Sequence, residues 1–135
     1  MQVRKTLKVS VEGKTVDVEA LFDSGSNFTV MGFSKLEKLF GRVKVKPLPK
    51  PVKATLINGQ QILVEGFVDA ELTLKNGYIV SERIYLSRDM VEEAEVEGRK
   101  IRIPDLIIGA PTMETWGIEL DLKKGDIVVR GTCIF

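Results

Sequence analysis

From Leu7 to Ala20, apolar side chains recur at every second position: Leu7, Val9 and Val11, then Val16, Val18 and Ala20, with Gly13 between the runs. A period of two suits a strand with one buried face and scatters around a helix. Two such runs about a glycine predict an antiparallel hairpin. That hairpin feeds the stretch ALFDSGSNFTVM, residues 20–31, where the alternation stops. Ala20, Leu21 and Phe22 lead straight into Asp23, and apolar residues resume only after Ser-Gly-Ser-Asn. A carboxylate at the end of a buried strand is costly unless hydrogen-bonded or paired. Asp23 therefore either opens a turn or is held in place for chemistry.

The rest of the chain follows the same grammar. Ser34-Lys35-Leu36-Glu37 has capping-box spacing, and Leu36, Leu39 and Phe40 share one face, so a short helix is predicted that Gly41 stops. GRVKVKPLPKPVK, residues 41–53, carries five basic residues with Pro47, Pro49 and Pro51, and reads as an extended, exposed connection. Residues 53–74 form a long hairpin about Asn58-Gly59, and Asn76-Gly77 reverses the chain into YIVSERIYL. The run RDMVEEAEVEGRK reads as a solvated helix or loop. DLIIGA is a short buried strand ended by Gly109. Pro111 to Trp116 suits a turn or two of helix, Ile118, Leu120 and Leu122 alternate, and Lys124-Gly125 turns the chain into a closing strand. Without repeats or linkers, the 135 residues are expected to form one domain, all-β apart from one or two short helices.

Charge and composition remove most function classes. With 20 basic and 19 acidic residues the net charge is +1, so no overall field points to nucleic acid or a membrane surface. Met1 is followed by alternating residues and not by an apolar run, so neither a signal peptide nor a membrane-spanning helix is expected. The lone Cys133 has no partner for a disulfide or metal cluster, which suggests a reducing, cytoplasmic setting. Histidine is absent, which removes Ser-His-Asp and Cys-His nucleophilic catalysis and every histidine-containing zinc site. Any acid-base chemistry falls on carboxylates, Lys or Tyr. No metal or other cofactor is expected.

Asp-Ser-Gly alone is an ordinary turn composition. Its setting is less ordinary. It lies between two apolar runs, a second apolar segment ended by glycine (Leu106-Ile107-Ile108-Gly109) could cross behind it, and the Asn58-Gly59 hairpin could close over a ligand. In this setting ALFDSGSNFTVM resembles the active-site loop of retropepsin-like aspartic proteases. DLIIGA resembles that family's hydrophobic-hydrophobic-Gly signature, and ATLINGQQILVEGF resembles its flap. The likeness runs from about Val3 to Val129, and DLKKGDIVVRG is especially similar to the retroviral-protease-like domain of DNA-damage-inducible shuttle proteins.

The resemblance implies a closed acid-protease barrel with a flap, working as a homodimer. Aspartic proteolysis needs two carboxylates sharing a proton around one water. This chain has a single Asp-Ser/Thr-Gly triplet, so the partner of Asp23 would be Asp23 of a second copy. By the same resemblance, Ser24 would tie the two loops together and Gly25 would offer its carbonyl to the substrate main chain. Ser26 and Asn27 would line the cleft, Ile57, Asn58 and Gly59 would cover the peptide, and Ile107 would face a side-chain pocket. Residues 3–9 and 128–135 would interleave as an interface sheet. The resemblance is incomplete in two places. Relatives place a charged brace after the glycine where Ala110-Pro111 stands here, and Phe28 replaces an acid of several viral relatives, making outer subsites more apolar.

The implied function is aspartic endopeptidase activity on peptide or protein substrates, with no nucleic-acid or membrane partner. The alternatives are a retropepsin-fold dimer that binds peptides without cleaving them, and an unrelated monomeric barrel in which DSG is a turn. Trp116 reads as a packing residue, Cys133 as a core or interface residue, and the basic proline-rich run as a solvated edge.

Overall fold

The computed structural model describes residues 1–55, 61–90 and 93–130, with only the backbone described at 93–96 and 101. In chain order the elements are β1 (Gln2–Val11), β2 (Lys14–Asp23), β3 (Val30–Gly32), α1 (Phe33–Phe40), β4 (Lys46–Thr55), β5 (Gln61–Thr73), a 3-10 turn (Lys75–Gly77) and β6 (Ile79–Ser87). They continue with β7 (Glu93–Val96), β8 (Arg99–Arg102), β9 (Leu106–Ile108), α2 (Ala110–Trp116), β10 (Ile118–Asp121) and β11 (Asp126–Val129).

The hairpin predicted from the alternation is β1 and β2, in register from Gln2 opposite Asp23 to Val11 opposite Lys14. Its turn residues Glu12 (φ 48°) and Gly13 (φ 80°) are both left-handed, matching the twist of the paired strands. The main sheet runs β1-β2-β9-β3-β6-β5-β4, and β1 also pairs with β5 at Lys8–Ser10. Six strands thus close into a ring, with β4 outside it on β5. Within the sheet, β2 with β9 and β3 with β6 are parallel, and the remaining pairs are antiparallel.

This topology explains why the alternation ends before Asp23. Burial along β2 is patchy at first and unbroken from Ala20 to Asp23. There β2 leaves the surface and lies between β1 and β9, with both of its faces covered, so no position favours a polar side chain. β9 and β3 are buried at every residue for the same reason. Each sends its side chains to two cores in turn. Leu106, Ile108 and Met31 join Val9, Val18, Phe22, Ile84 and Leu86 in the main core. Ile107 and Val30 join Ala54, Ile62, Val64 and Met90 in a smaller cluster.

Several expectations need correction. The run RDMVEEAEVEGRK is not a helix or loop but contains the β7–β8 hairpin, turning at Glu97 (φ 52°) and Gly98 (φ 76°). Its register sets Glu93 opposite Arg102 and Glu95 opposite Lys100. The proline-rich connection belongs to the long hairpin, because β4 begins at Lys46 and pairs with β5 at Lys46 and Pro47, then again from Val52. The ladder is interrupted where Pro49 and Pro51 cannot donate, which an edge strand tolerates. Ser34 does not cap α1. The helix starts two residues earlier, with Gly32 at the cap position and no side-chain cap. A Cβ on Gly32 would lie 3.2 Å from the Met90 carbonyl oxygen, so the chain passes from β3 into α1 with little room to spare. β1 is paired by β2 along its full length on one edge and by β5 only at Lys8–Ser10 on the other, so among the described residues the second edge of residues 3–7 has no partner strand. Residues 56–60, with the Asn58-Gly59 turn, and Cys133 lie outside the described residues.

Candidate active site

Asp23 is the last residue of β2 and is only 2% exposed, although Ser24 and Gly25 beside it are exposed. Its position follows from the packing behind it. Phe22 is fully buried in the main core and lies opposite Ile108 of β9, so the end of β2 has little freedom. After Asp23 the backbone folds onto the carboxylate. Gly25 N–H donates to Asp23 Oδ1 at 2.9 Å, and Ser26 N–H donates to the Asp23 carbonyl at 3.1 Å. A tight turn of this kind suits Ser and Gly and holds the carboxylate against the loop. Ser24 N–H donates to the Met1 carbonyl at 3.2 Å, with the Ser24 hydroxyl at 3.5 Å from the same oxygen.

The other half of the loop is fastened from the opposite side by groups the sequence did not single out. Thr29 is 4% exposed, and its Oγ1 accepts Gly109 N–H at 3.1 Å. The same oxygen lies 2.6 Å from Thr112 Oγ1 in the first turn of α2. Ala110 N–H donates to the Ser26 carbonyl at 2.8 Å, and Tyr85 N–H of β6 donates to the Thr29 carbonyl at 2.9 Å. The loop is thereby tied to β9, α2 and β6, with no charged brace after Gly109. Two threonine hydroxyls and two backbone amides take that place. Gly109 is required for its size, since a Cβ there would lie 2.6 Å from the Phe28 carbonyl oxygen and 2.7 Å from that of Ser26. In the sequence, Thr29 ends the loop and Thr112 sits three residues after the glycine. Without the fold, nothing connects the two positions.

A further tie sits at the far end of β9. Asp105 Oδ2 accepts Glu19 N–H of β2 at 3.0 Å, and Oδ1 faces Lys35 Nζ of α1 at 3.2 Å. This mostly buried ion pair joins α1 to the two parallel strands behind the loop. The strands do not cross behind the acid, as the two glycine-ended segments suggested, but run side by side from Ala20 opposite Leu106 to Phe22 opposite Ile108.

The remaining site candidates divide into two groups. Ser24, Gly25 and Asn27 are exposed on the loop beside Asp23. Ser26 is 2% exposed, and its hydroxyl donates to the Phe28 carbonyl at 2.8 Å, so the side chain stabilises the loop from within. Ile107 is 5% exposed and lies in the smaller cluster, with Phe28 and Tyr85 packed against it. Ile57, Asn58 and Gly59 are outside the described residues.

A six-strand ring with an Asp-Ser-Gly loop at the end of one inner strand and an Ile-Ile-Gly strand beside it matches solved structures. Over 96% of this chain and 90% of theirs, the coordinates align with the retroviral protease-like domain of Ddi1 from Leishmania major at 18% identity and a TM-score of 0.63. The chain has the retropepsin fold. A second retropepsin-fold structure, EIAV protease complexed with the inhibitor HBY-793, aligns at 17% identity and a TM-score of 0.55, covering 88% of this chain and 93% of that one. No protein-family model and no curated protein sequence matches the chain. Among the described residues, no helix is long and apolar enough to cross a membrane.

Proposed function

We propose that this chain is one half of a homodimeric aspartic endopeptidase, with Asp23 supplying one of its two catalytic carboxylates. The observation that carries the reading is a carboxylate only 2% exposed, at the end of a core strand, on a retropepsin-fold loop bonded from both sides. For a structural turn, an exposed Asp would serve equally well. Two copies related by a two-fold axis would bring two Asp23 side chains around one water. Two carboxylates that close cannot both ionise, so the pair would share one proton.

The chemistry then needs only these two groups. The ionised carboxylate takes a proton from water, whose oxygen attacks the scissile carbonyl carbon, while the protonated carboxyl donates to the carbonyl oxygen. Collapse of the tetrahedral intermediate breaks the C–N bond, and the amine leaves with a proton from the pair. Gly25 and Asn27, exposed beside Asp23, would hold the substrate main chain extended, with alternate side chains entering pockets. The peptide or protein substrate, the covering role of residues 57–59 and a cytoplasmic location are parts of the same proposal.

The non-cleaving alternative drew on the missing charged brace. The Thr29–Thr112 bond supports the cleaving reading, because it supplies a brace from neutral groups. The test is cleavage of an unbiased peptide library from about pH 3 to 7, with Asp23→Asn as control and light scattering for mass. Inhibitor-sensitive cleavage that Asp23→Asn abolishes without altering the dimer is expected. A protein that stays monomeric, or one whose cleavage survives Asp23→Asn, refutes the proposal.

A further inference from the structure

An aromatic row crosses the sheet beside the loop. Phe28 packs edge-on against Tyr85 with ring centroids 5.3 Å apart, and Tyr85 lies 6.1 Å from Phe67. The Arg83 guanidinium stacks over the Phe67 ring at 3.8 Å from its centroid. Arg83 is exposed, yet this stacking holds the plane of its donors in a defined place.

The nearby carboxylates are already engaged. Asp69 sits directly opposite Arg83 across the β5–β6 ladder, but its Oδ2 is bonded to Lys46 Nζ at 2.9 Å. Glu82 Oε2 accepts the Trp116 indole N–H at 3.1 Å. Among the described residues no ion pair of the Arg83 guanidinium occurs. The arginine lines a groove of about 450 Å³ with Asn27, Phe28, Tyr85, Pro111 and Thr112. Two of these, Asn27 and Phe28, belong to the loop that carries Asp23. The groove therefore combines two aromatic rings, a guanidinium and the Glu82 carboxylate, and shares Asn27 and Phe28 with the loop that carries Asp23.

We infer that this groove is a specificity subsite for an acidic side chain of the peptide substrate, with Arg83 as the group that reads the charge. The inference rests on the peptide-substrate reading above and adds the substrate class to it. An extended peptide lying along Asn27 and Phe28 sets alternate side chains on the same side. One carrying an anion on a short apolar stem places its methylenes on Phe28 and Tyr85 and its oxygens on the guanidinium fork. The Glu82 carboxylate on the same groove disfavours an acid there unless Arg83 outweighs it, so the preference depends on this one side chain. In a two-fold dimer the subsite occurs twice, once on each side of the cleaved bond.

The test walks Glu, Gln and phosphoserine through each position of a cleavable peptide. Cleavage by the wild type and binding to the Asp23→Asn protein are both measured, each also with Arg83→Gln and Arg83→Glu. Glu is expected to exceed Gln about fivefold in kcat/KM at one position on each side of the bond, the upper range for a solvent-exposed ion pair. Arg83→Gln should remove that preference, Arg83→Glu should invert it, and salt at 0.5 M should compress it. A phosphoserine preference above that of Glu supports the anion subsite and assigns phosphate as its source. Cleavage without any Arg83-dependent acidic position overturns the inference and leaves the endopeptidase intact. An Arg83-dependent preference in binding without cleavage supports the subsite and overturns the endopeptidase. Absence of both binding and cleavage overturns both.

Discussion

Replacing Thr29 by Val keeps the side-chain shape and removes one hydroxyl, and the structure says what that hydroxyl does. Thr29 Oγ1 accepts Gly109 N–H at 3.1 Å and shares a hydrogen with Thr112 Oγ1 at 2.6 Å, in a site where Thr29 and Thr112 are each 4% exposed. Thr29→Val therefore strands a buried amide and a buried hydroxyl, at about 1–3 kcal/mol for the amide and about 1 kcal/mol for the hydroxyl pair, giving about 2–4 kcal/mol in all. Thr112→Val leaves Thr29 Oγ1 still accepting from Gly109, so it should cost about 1 kcal/mol. In the double variant the Thr–Thr bond can be lost only once, so the two losses should fall short of additive by about 1 kcal/mol. Urea unfolding followed by circular dichroism measures all four proteins, with the slope checked for constancy. Because the loop carries Asp23, kcat/KM should fall in the same order at temperatures where every variant is folded. If Thr112→Val costs as much as Thr29→Val, or the losses add, the two hydroxyls do not form the brace described here.

Gly109→Ala places a methyl 2.6 Å from the Phe28 carbonyl oxygen and 2.7 Å from that of Ser26, so it should destabilise by about 1–3 kcal/mol and lower the thermal midpoint by several degrees. Asp23→Asn should keep the thermal midpoint within a few degrees of wild type while abolishing turnover, measured on the same preparation. Asp126 concerns acid stability. Hydrogen bonds from Lys75, then Lys5, then its neighbour's Ile127 N–H hold its carboxyl well below the usual carboxylate range. Its folded form thus binds a proton less readily than its unfolded form, so its stabilisation is fully present above about pH 4 and is lost as pH falls towards the folded value. Asp126→Asn should flatten the acid limb of a stability-versus-pH curve and leave its neutral-to-basic shape unchanged.

Much of this molecule was legible in the chain. Leu7 to Ala20 specified the first hairpin because a period of two leaves one face to bury. Glycine at 13, 41 and 125 takes positive φ at chain reversals or a helix end, where side chains other than glycine are strained. The β7–β8 hairpin was missed because charge density in the acidic run masked its signal, a Glu97-Gly98 turn with opposite charges in register. The early start of α1 was missed because Gly32 is dictated by its proximity to Met90, a contact absent from any local pattern.

The candidate site divides in the same way. By itself, the sequence determined that acid-base chemistry has no histidine to use, that Asp23 ends an apolar run, and that Gly25 follows where a turn must form. These are local facts about residue type and spacing. Only the tertiary structure decided that β9 runs parallel beside β2, that Thr29 meets Thr112 across 83 residues, and that Arg83 stacks beside the loop with its neighbouring carboxylates already bonded. Each of those depends on the order and register of the strands, which no spacing along the chain encodes.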